Sequence, residues 1–89
     1  MSKINICWTN EAWHDYIYWQ EHDKNILKKI NKLVADIERH GNDGIGKPEQ
    51  LKHDLTGLWS RRINGKHRLL YERDESQITI YSCRYHYDE

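Results

Sequence analysis

The sequence contains no phenylalanine, a single proline and only two cysteines among 89 residues. Two cysteines, Cys7 and Cys83, are too few for a disulfide scaffold. A structural zinc site needs four convergent ligands. Cys83 and His86 have the spacing of one ligand pair, but the sequence offers no second pair to complete the site. We therefore expect no metal ion and no other cofactor. Each of the aromatic residues, four Trp and six Tyr, carries a polar group that suits interfaces and base stacking.

Long apolar runs are absent as well. The longest, Tyr16–Trp19, is far too short to cross a membrane. Residues 1–5 lack the apolar segment of a signal peptide. A doubly wound nucleotide-binding fold needs two halves of strands and helices, for which 89 residues are too few. We expect a single cytoplasmic domain over residues 1–89, without membrane association.

Neither sign of charge is in excess, since 14 Lys and Arg balance 14 Asp and Glu. The distribution is nevertheless uneven. Residues 47–68 hold six basic side chains against only Glu49 and Asp54, a local charge of +4. An anionic partner would therefore contact this segment rather than the chain as a whole.

The N-terminal half predicts a short strand, Ile4–Trp8, followed by two helices. Thr9 or Asn10 caps the first helix, which ends near Glu21 or His22, and Asp23 caps the second. Gly41 ends the second helix. Apolar residues follow helical spacing on one face of each helix: Trp13, Tyr16, Ile17 and Gln20 with one polar member in the first, and Ile26, Leu27, Ile30, Leu33, Val34 and Ile37 in the second.

A glycine-rich loop is predicted at 41–48. After it, the helical spacing of the apolar residues gives way to the two-residue alternation that is typical of strands. Strands are predicted at 58–63, 67–71 and 77–85. The element order β-α-α-β-β-β predicts an α+β fold, with two helices packed on one face of a mostly antiparallel four-stranded sheet. The other face, with basic residues around it, is left free for binding.

The residue types after position 46 match the requirements of metal-free RNA cleavage. A carboxylate or imidazole takes the proton of the 2′-OH, guanidinium groups neutralise the transition state, and a histidine protonates the departing 5′-oxygen. Aromatic rings stack on bases. The candidates are Lys47, Glu49, Lys52, His53, Arg61, Arg62, His67, Arg68, Arg84, Tyr85, His86 and Tyr87.

Simpler interpretations fit the same residues. Arg61 and Arg62 can be solvated sheet residues that pair with Glu49 and Asp54, and such surface ion pairs contribute little stability. His86 can belong to a frayed strand end. Composition alone equally favours an RNA-binding module without catalysis.

Several blocks of sequence are specific enough to indicate a family. Together they closely resemble the YoeB (Txe) toxins of type II toxin–antitoxin modules, in the RelE-like superfamily, from about Ile6 to Tyr87. The resemblance depends on Glu11-x-Trp13-x-Asp15-Tyr16, Gly46-Lys47-Pro48-Glu49, Trp59-Ser60-Arg61-Arg62, His67-Arg68-Leu69 and Arg84-Tyr85-His86-Tyr87. It implies a RelE-like fold and a ribosome-dependent endoribonuclease that cuts mRNA in the A site and arrests translation.

The resemblance also implies a role for each site residue. Glu49 is the general base, Arg62 and Arg68 stabilise the transition state, His86 is the general acid, and Tyr87 supports substrate positioning. Lys52 contacts the scissile region of the RNA. We add Lys47, Arg61, Arg84 and Tyr85 as further RNA-binding residues. The implied partners are mRNA, the ribosomal A site, a YefM-like antitoxin and, as family members often form homodimers, a second copy of the chain.

Two features bear on these roles. Asp88 and Glu89 extend the chain past the terminal His-Tyr pair of the family pattern, and their charges can weaken activity or leave an inert remnant. A two-residue turn at Asn64-Gly65 would place Arg62 and Arg68 on opposite faces of the sheet. We predict instead a three-residue loop or a bulge that sets Arg62 opposite Arg68.

Overall fold

The computed structural model describes residues 3–85, and the predictions for His86, Tyr87 and the last two residues lie outside this range. Strand β1, Asn5–Trp8, leads into helix α1, Asn10–His22, and helix α2, Lys24–His40. Thr9 caps α1, because its hydroxyl oxygen accepts from the backbone N–H of Ala12. Asp23 caps α2 through its carboxylate, and Gly41 ends α2 with φ 71°. The capping residues are those that the sequence predicts.

The remaining strands are β2, Glu49–Gln50, β3, Trp59–Arg62, β4, Arg68–Arg73, and β5, Gln77–Ser82. The sheet order is β1-β5-β4-β3-β2. Strand β1 runs parallel to β5, whereas the other neighbours are antiparallel. The α+β class with a mostly antiparallel sheet is confirmed, but the predicted number of four strands is wrong. The additional strand β2 has two residues, too few to show a period in the sequence.

The core lies between the helices and one face of the sheet. Its α2 side chains are those of the predicted stripe, of which Ile30, Leu33, Val34 and Ile37 are buried. From α1 the buried residues are Ala12 and Trp19, whereas Trp13, placed on the predicted apolar face, is 47% exposed. Strands β4 and β5 supply Leu69, Tyr71, Ile78 and Ile80.

The opposite face of the sheet is not covered by the two helices. Arg61 is buried and reaches Asp36 on α2, so it points to the helical side. Its neighbour Arg62 is exposed and points the other way, because side chains alternate along a strand. The face that carries Arg62 is called the open face below. Within residues 3–85, no helix combines the length and apolar character needed to span a membrane.

Candidate active site

Arg62 and Arg68 stand side by side on the open face. They are direct partners in the antiparallel ladder of β3 and β4. The connection is the predicted three-residue loop at 64–66, closed by the Ile63 N–H donating to the carbonyl of His67 at 2.9 Å. The side-chain oxygen of Asn64 accepts from the backbone N–H groups of Lys66 and His67. The predicted register is confirmed, and paired residues share a face, so both guanidinium groups project from the same surface.

Glu49 joins this surface through strand β2. It pairs with Ser60 of β3, two residues before Arg62 on the same face. The guanidinium Nη1 of Arg68 lies 3.4 Å from Glu49 Oε1 and 3.4 Å from the hydroxyl oxygen of Ser60. A carboxylate and two cations, drawn from three strands, therefore occupy one area of the open face.

The electrostatics of this area favour an anionic ligand. Like charges directly opposite each other in a sheet repel, so the pairing of Arg62 with Arg68 opposes folding unless an anion lies between them. Guanidinium forks match the oxygens of phosphate groups. Glu49 is 65% exposed and Arg68 28% exposed, so a ligand from solvent can reach both groups.

The two predicted RNA-binding lysines precede and follow Glu49 along the chain. Lys47 precedes it by two residues and has a positive φ of 51°. Lys52 follows strand β2 and leads into a 3-10 turn, His53–Leu55. Both are exposed, so each adds a positive charge to the surface within three residues of Glu49 in the chain.

Arg84 and Tyr85 form a stack with helix α1. The Arg84 guanidinium lies 3.6 Å from the ring centroid of Tyr18 and 4.9 Å from that of Tyr85. Its Nη2 also donates to the Tyr85 hydroxyl at 3.0 Å. Tyr85 is 50% exposed, and the Lys66 ammonium lies 5.6 Å from the centroid of its ring. Tyr85 thus presents an aromatic surface bordered by two cations.

Tyr85 lies beside Arg68. The backbone N–H of Arg68 donates to the carbonyl oxygen of Tyr85 at 2.9 Å. The N–H of Tyr85 in turn donates to the Nδ1 atom of His67 at 2.6 Å. The residue immediately before His86 is therefore in contact with the strand that carries Arg68.

Arg61 does not belong to this surface, and the prediction that it contacts RNA is wrong. Its side chain is fully buried on the helical side of the sheet. The guanidinium donates to the Asp36 carboxylate at 2.6 Å and to the Tyr71 hydroxyl at 3.2 Å. It also donates to three carbonyl oxygens of the loop that follows helix α2: those of Gly41, Asp43 and Ile45. The interpretation of Arg61 as a solvated partner of Glu49 or Asp54 is equally wrong.

Ionisable groups near the core respond to these surroundings. The hydrogen bond from Arg61 holds the pKa of Asp36 below its ordinary 3.8. Burial raises the pKa of the Asp15 carboxyl above 3.8 and, with Asp15 nearby, raises the pKa of the Cys83 thiol to about 12. Cys83 is consequently a neutral, buried group rather than a nucleophile at neutral pH. Within residues 3–85, no three His, Cys, Asp or Glu side chains form a cluster suited to a metal ion.

Two residues that support the arginines of strands β3 and β4 were not predicted from the sequence. Ser60, next to the arginine pair in sequence, accepts a hydrogen bond from Arg68. The alternation Ser60, Arg61, Arg62 places Ser60 and Arg62 on one face, a signal that could have found it. Asp36 lies outside the apolar stripe of α2 like an ordinary solvated residue, and no local pattern links it to Arg61.

Comparison with known proteins places these residues in a family context. A model of a family described as "YoeB-like toxin of bacterial type II toxin-antitoxin system" matches residues 8–87. The toxin YoeB of Escherichia coli strain K12 is 52% identical over 84 residues, which cover 94% of this chain and 100% of that protein. The toxin YoeB of Streptomyces coelicolor is 49% identical over the same share of this chain.

Solved structures show the same similarity. The structure of the YoeB dimer from Staphylococcus aureus has a TM-score of 0.90 and 52% identity, covering 97% of this chain and 100% of that one. A heterotetrameric YoeB-YefM toxin–antitoxin complex from the same organism has a TM-score of 0.88 at 52% identity, with the same coverage. The structure of YafQ from Escherichia coli, at 15% identity and a TM-score of 0.73 over 93% of both chains, shares the fold alone.

Proposed function

The chain belongs to the family of YoeB-like toxins of bacterial type II toxin–antitoxin systems, and on this premise we propose that its open face cleaves mRNA in the A site of translating ribosomes. The observation that carries the proposal is the convergence of Glu49, Arg62 and Arg68 on one exposed surface. A toxin of this kind acts in the cytoplasm, where its ribosomal substrate is found.

The proposed reaction needs only groups of the chain itself. The Glu49 carboxylate takes the proton of the 2′-OH, and the resulting alkoxide attacks the adjacent phosphorus. The new P–O bond closes a 2′,3′-cyclic phosphate as the bond to the 5′-oxygen breaks. Arg62 and Arg68 bind the non-bridging oxygens, whose charge increases in the transition state. His86 donates the proton that converts the leaving oxygen to a 5′-OH, and Tyr87 supports substrate positioning.

The Arg68–Glu49 contact supports these roles. At 3.4 Å it is a weak and solvent-exposed ion pair, which an incoming phosphate can replace. Phosphate binding would draw the Arg68 guanidinium away from the carboxylate and leave Glu49 available as the base. In this scheme the Arg68–Glu49 ion pair forms in the RNA-free enzyme and breaks when RNA binds.

Residues around Glu49, Arg62 and Arg68 would bind the rest of the RNA. Lys47 and Lys52, which are exposed and precede and follow Glu49 in the chain, would contact the phosphate backbone. Tyr85 would stack on a base through its exposed ring, with Arg84 beside it. Arg61 has no place in this contact set, because its guanidinium is buried among protein acceptors.

Proposed protein partners follow from the solved relatives. The Staphylococcus aureus toxin forms a complex with YefM, so we propose a YefM-like antitoxin as the inhibitor of this chain. The dimer of the same toxin makes a homodimer the expected assembly in the absence of antitoxin.

Primer extension on translating ribosomes tests the activity. Glu49→Gln and His86→Gln should slow mRNA cleavage by roughly two to four powers of ten, the usual contribution of a general acid or base, while ribosome binding persists. Glu75→Gln, an exposed change outside the open face, is the matched control and should cleave like the wild type.

The same assay separates an enzyme from a module that only binds RNA or a partner. If the wild type binds ribosomes but produces no new mRNA ends, the chain grips RNA through Arg62 and Arg68 without cleaving it. Equal cleavage by the wild type and Glu49→Gln would exclude Glu49 as the base. Deletion of Asp88 and Glu89 then shows whether these carboxylates reduce the activity.

A further inference from the structure

We propose that His67 is a positioning residue for the cleavage reaction, because its Nδ1 atom holds the backbone turn at Tyr85 that precedes the proposed general acid. The inference rests on the proposed function and adds to it a residue with no direct role in the chemistry. His67 lies next to Arg68 in sequence but is buried, with 7% of its surface exposed.

The turn at Tyr85 is one that a tyrosine does not adopt by preference. Its φ of 65° lies in the left-handed region, which is unfavourable for residues other than glycine. Such a conformation persists when the surroundings determine it from several sides. Here both backbone groups of Tyr85 are bonded, the N–H to His67 at 2.6 Å and the carbonyl oxygen to the Arg68 N–H at 2.9 Å.

The hydrogen bond defines the state of the imidazole. A backbone N–H can only donate, so Nδ1 of His67 carries a lone pair and the ring proton is on Nε2. His67 is therefore a neutral acceptor in this arrangement. Its ring packs edge-on against Trp19, with centroids 4.7 Å apart and planes at 75°, which defines the direction in which Nδ1 points.

Helix α1 holds the segment before Tyr85 in the same way. The indole N–H of Trp19 donates to the Cys83 carbonyl at 2.9 Å, and the Asp15 carboxylate accepts from the Cys83 N–H at 3.0 Å. Strand β5 has already ended at Ser82. Residues 83–85 thus leave the ladder with β4, and α1 and His67 return them to the backbone of Arg68.

This arrangement has a consequence for the reaction. A general acid must reach the leaving oxygen within hydrogen-bonding distance, and a misplacement of about 1 Å can reduce a rate by roughly 100-fold. His67 holds the last turn of chain before His86 against the strand of Arg68. We therefore expect its acceptor atom to affect the cleavage rate more than RNA affinity.

The test compares two substitutions that differ in the acceptor. In His67→Asn the amide oxygen can occupy the position of Nδ1, since both atoms are bonded to Cγ, whereas His67→Leu keeps the volume but has no acceptor. Single-turnover cleavage on programmed ribosomes should fall roughly 10- to 100-fold in H67L. H67N should recover most of that loss, and the ribosome affinity of both variants should change by less than about threefold.

Amide hydrogen exchange provides the structural readout. The Tyr85 N–H should be protected in the wild type and in H67N, but exchange faster in H67L. If H67L does not fold, His67→Gln replaces it, because its amide reaches the position of Nε2 rather than Nδ1.

The outcomes separate the two proposals. A wild type that does not cleave mRNA overturns the proposed function and the role of His67 with it. An active wild type with an equally active H67L, or with H67N as slow as H67L, overturns the role of His67 alone. A loss in H67L that resides in ribosome affinity, with an unchanged cleavage rate, also contradicts it.

Discussion

Two neighbouring arginines on strand β3 have opposite environments. Arg61 is buried and surrounded by a carboxylate, a phenol and three carbonyl oxygens, whereas Arg62 is exposed opposite a second arginine. The planar guanidinium suits both tasks, because its five donors can satisfy several buried acceptors or bind a phosphate. One residue type therefore stabilises the fold on one face and forms the proposed site on the other.

Lysine substitution should separate these two tasks. Arg61→Lys leaves several buried acceptors without donors and should lower the free energy of unfolding by about 3 kcal/mol. Arg62→Lys should change it by less than about 0.5 kcal/mol, since the side chain is exposed. In contrast, Arg62→Lys should reduce mRNA cleavage, because the ammonium group cannot form the paired contacts of a guanidinium. Urea unfolding and primer extension measure the two effects, and a stability loss of similar size in both variants would contradict the assignment.

The loop between helix α2 and strand β2 connects the core to the site. Three of its carbonyl groups accept from Arg61, and the carbonyl of Gly46 accepts from the Arg62 N–H at 2.7 Å. Gly46 has φ 81°, and an added Cβ would lie 2.7 Å from a methyl carbon of Leu33 and 3.2 Å from the Arg62 carbonyl. The loop therefore packs closely against the core just before the chain reaches Glu49.

Gly46→Ala tests this packing. The positive φ and the contact with Leu33 should together lower the free energy of unfolding by about 1–3 kcal/mol. A shifted loop should also displace Glu49 and slow mRNA cleavage. Gly65→Ala is the matched control, because nothing lies within 4 Å of its added Cβ, and its stability should stay within about 0.5 kcal/mol of the wild type. Equal stability of the two variants in urea unfolding would contradict the close packing at Gly46, because it would show that the loop accommodates the added methyl group without a loss of stability.

At the scale of the whole molecule, two carboxylates affect acid stability in opposite directions. Arg61 lowers the pKa of Asp36, so the stability that Asp36 contributes is present above pH 3.8 and is lost as the pH falls through the lowered folded value. Burial raises the pKa of Asp15, so its contribution is present below pH 3.8 and is lost as the pH rises through the raised folded value.

Asparagine substitutions should therefore give diverging pH profiles. Asp36→Asn should lower the free energy of unfolding at neutral pH, with a difference from the wild type that shrinks below pH 3.8. Asp15→Asn retains an oxygen acceptor for the Cys83 N–H and removes a partly buried charge. It should gain stability relative to the wild type as the pH rises above 3.8. Urea unfolding at a series of pH values measures both stability differences. If the free energies of unfolding of the two variants change with pH in parallel, the opposite pKa shifts of Asp36 and Asp15 are wrong.

Local physical chemistry made much of the fold predictable. Both helices follow from their capping residues, and the buried face of α2 follows from its apolar spacing, because these signals act within a few neighbouring positions. The pairing of Arg62 with Arg68 was also accessible, because strand alternation and the loop between them limit the possible registers. Where an interaction spans only a few residues, the sequence itself contains its determinants.

The tertiary structure alone decided the rest. Strand β2 exists because β3 offers it an edge, and Arg61 is buried because Asp36, 25 positions away, lies on the helix above it. The same holds for His67 and Tyr85, whose contact joins two segments 18 residues apart. Such contacts form only when distant parts of the chain meet around a common core, so no local pattern records them. The residue types and, apart from β2, the order of helices and strands could be predicted from the sequence, whereas packing decided which arginine is buried in the fold and which lies on the open face.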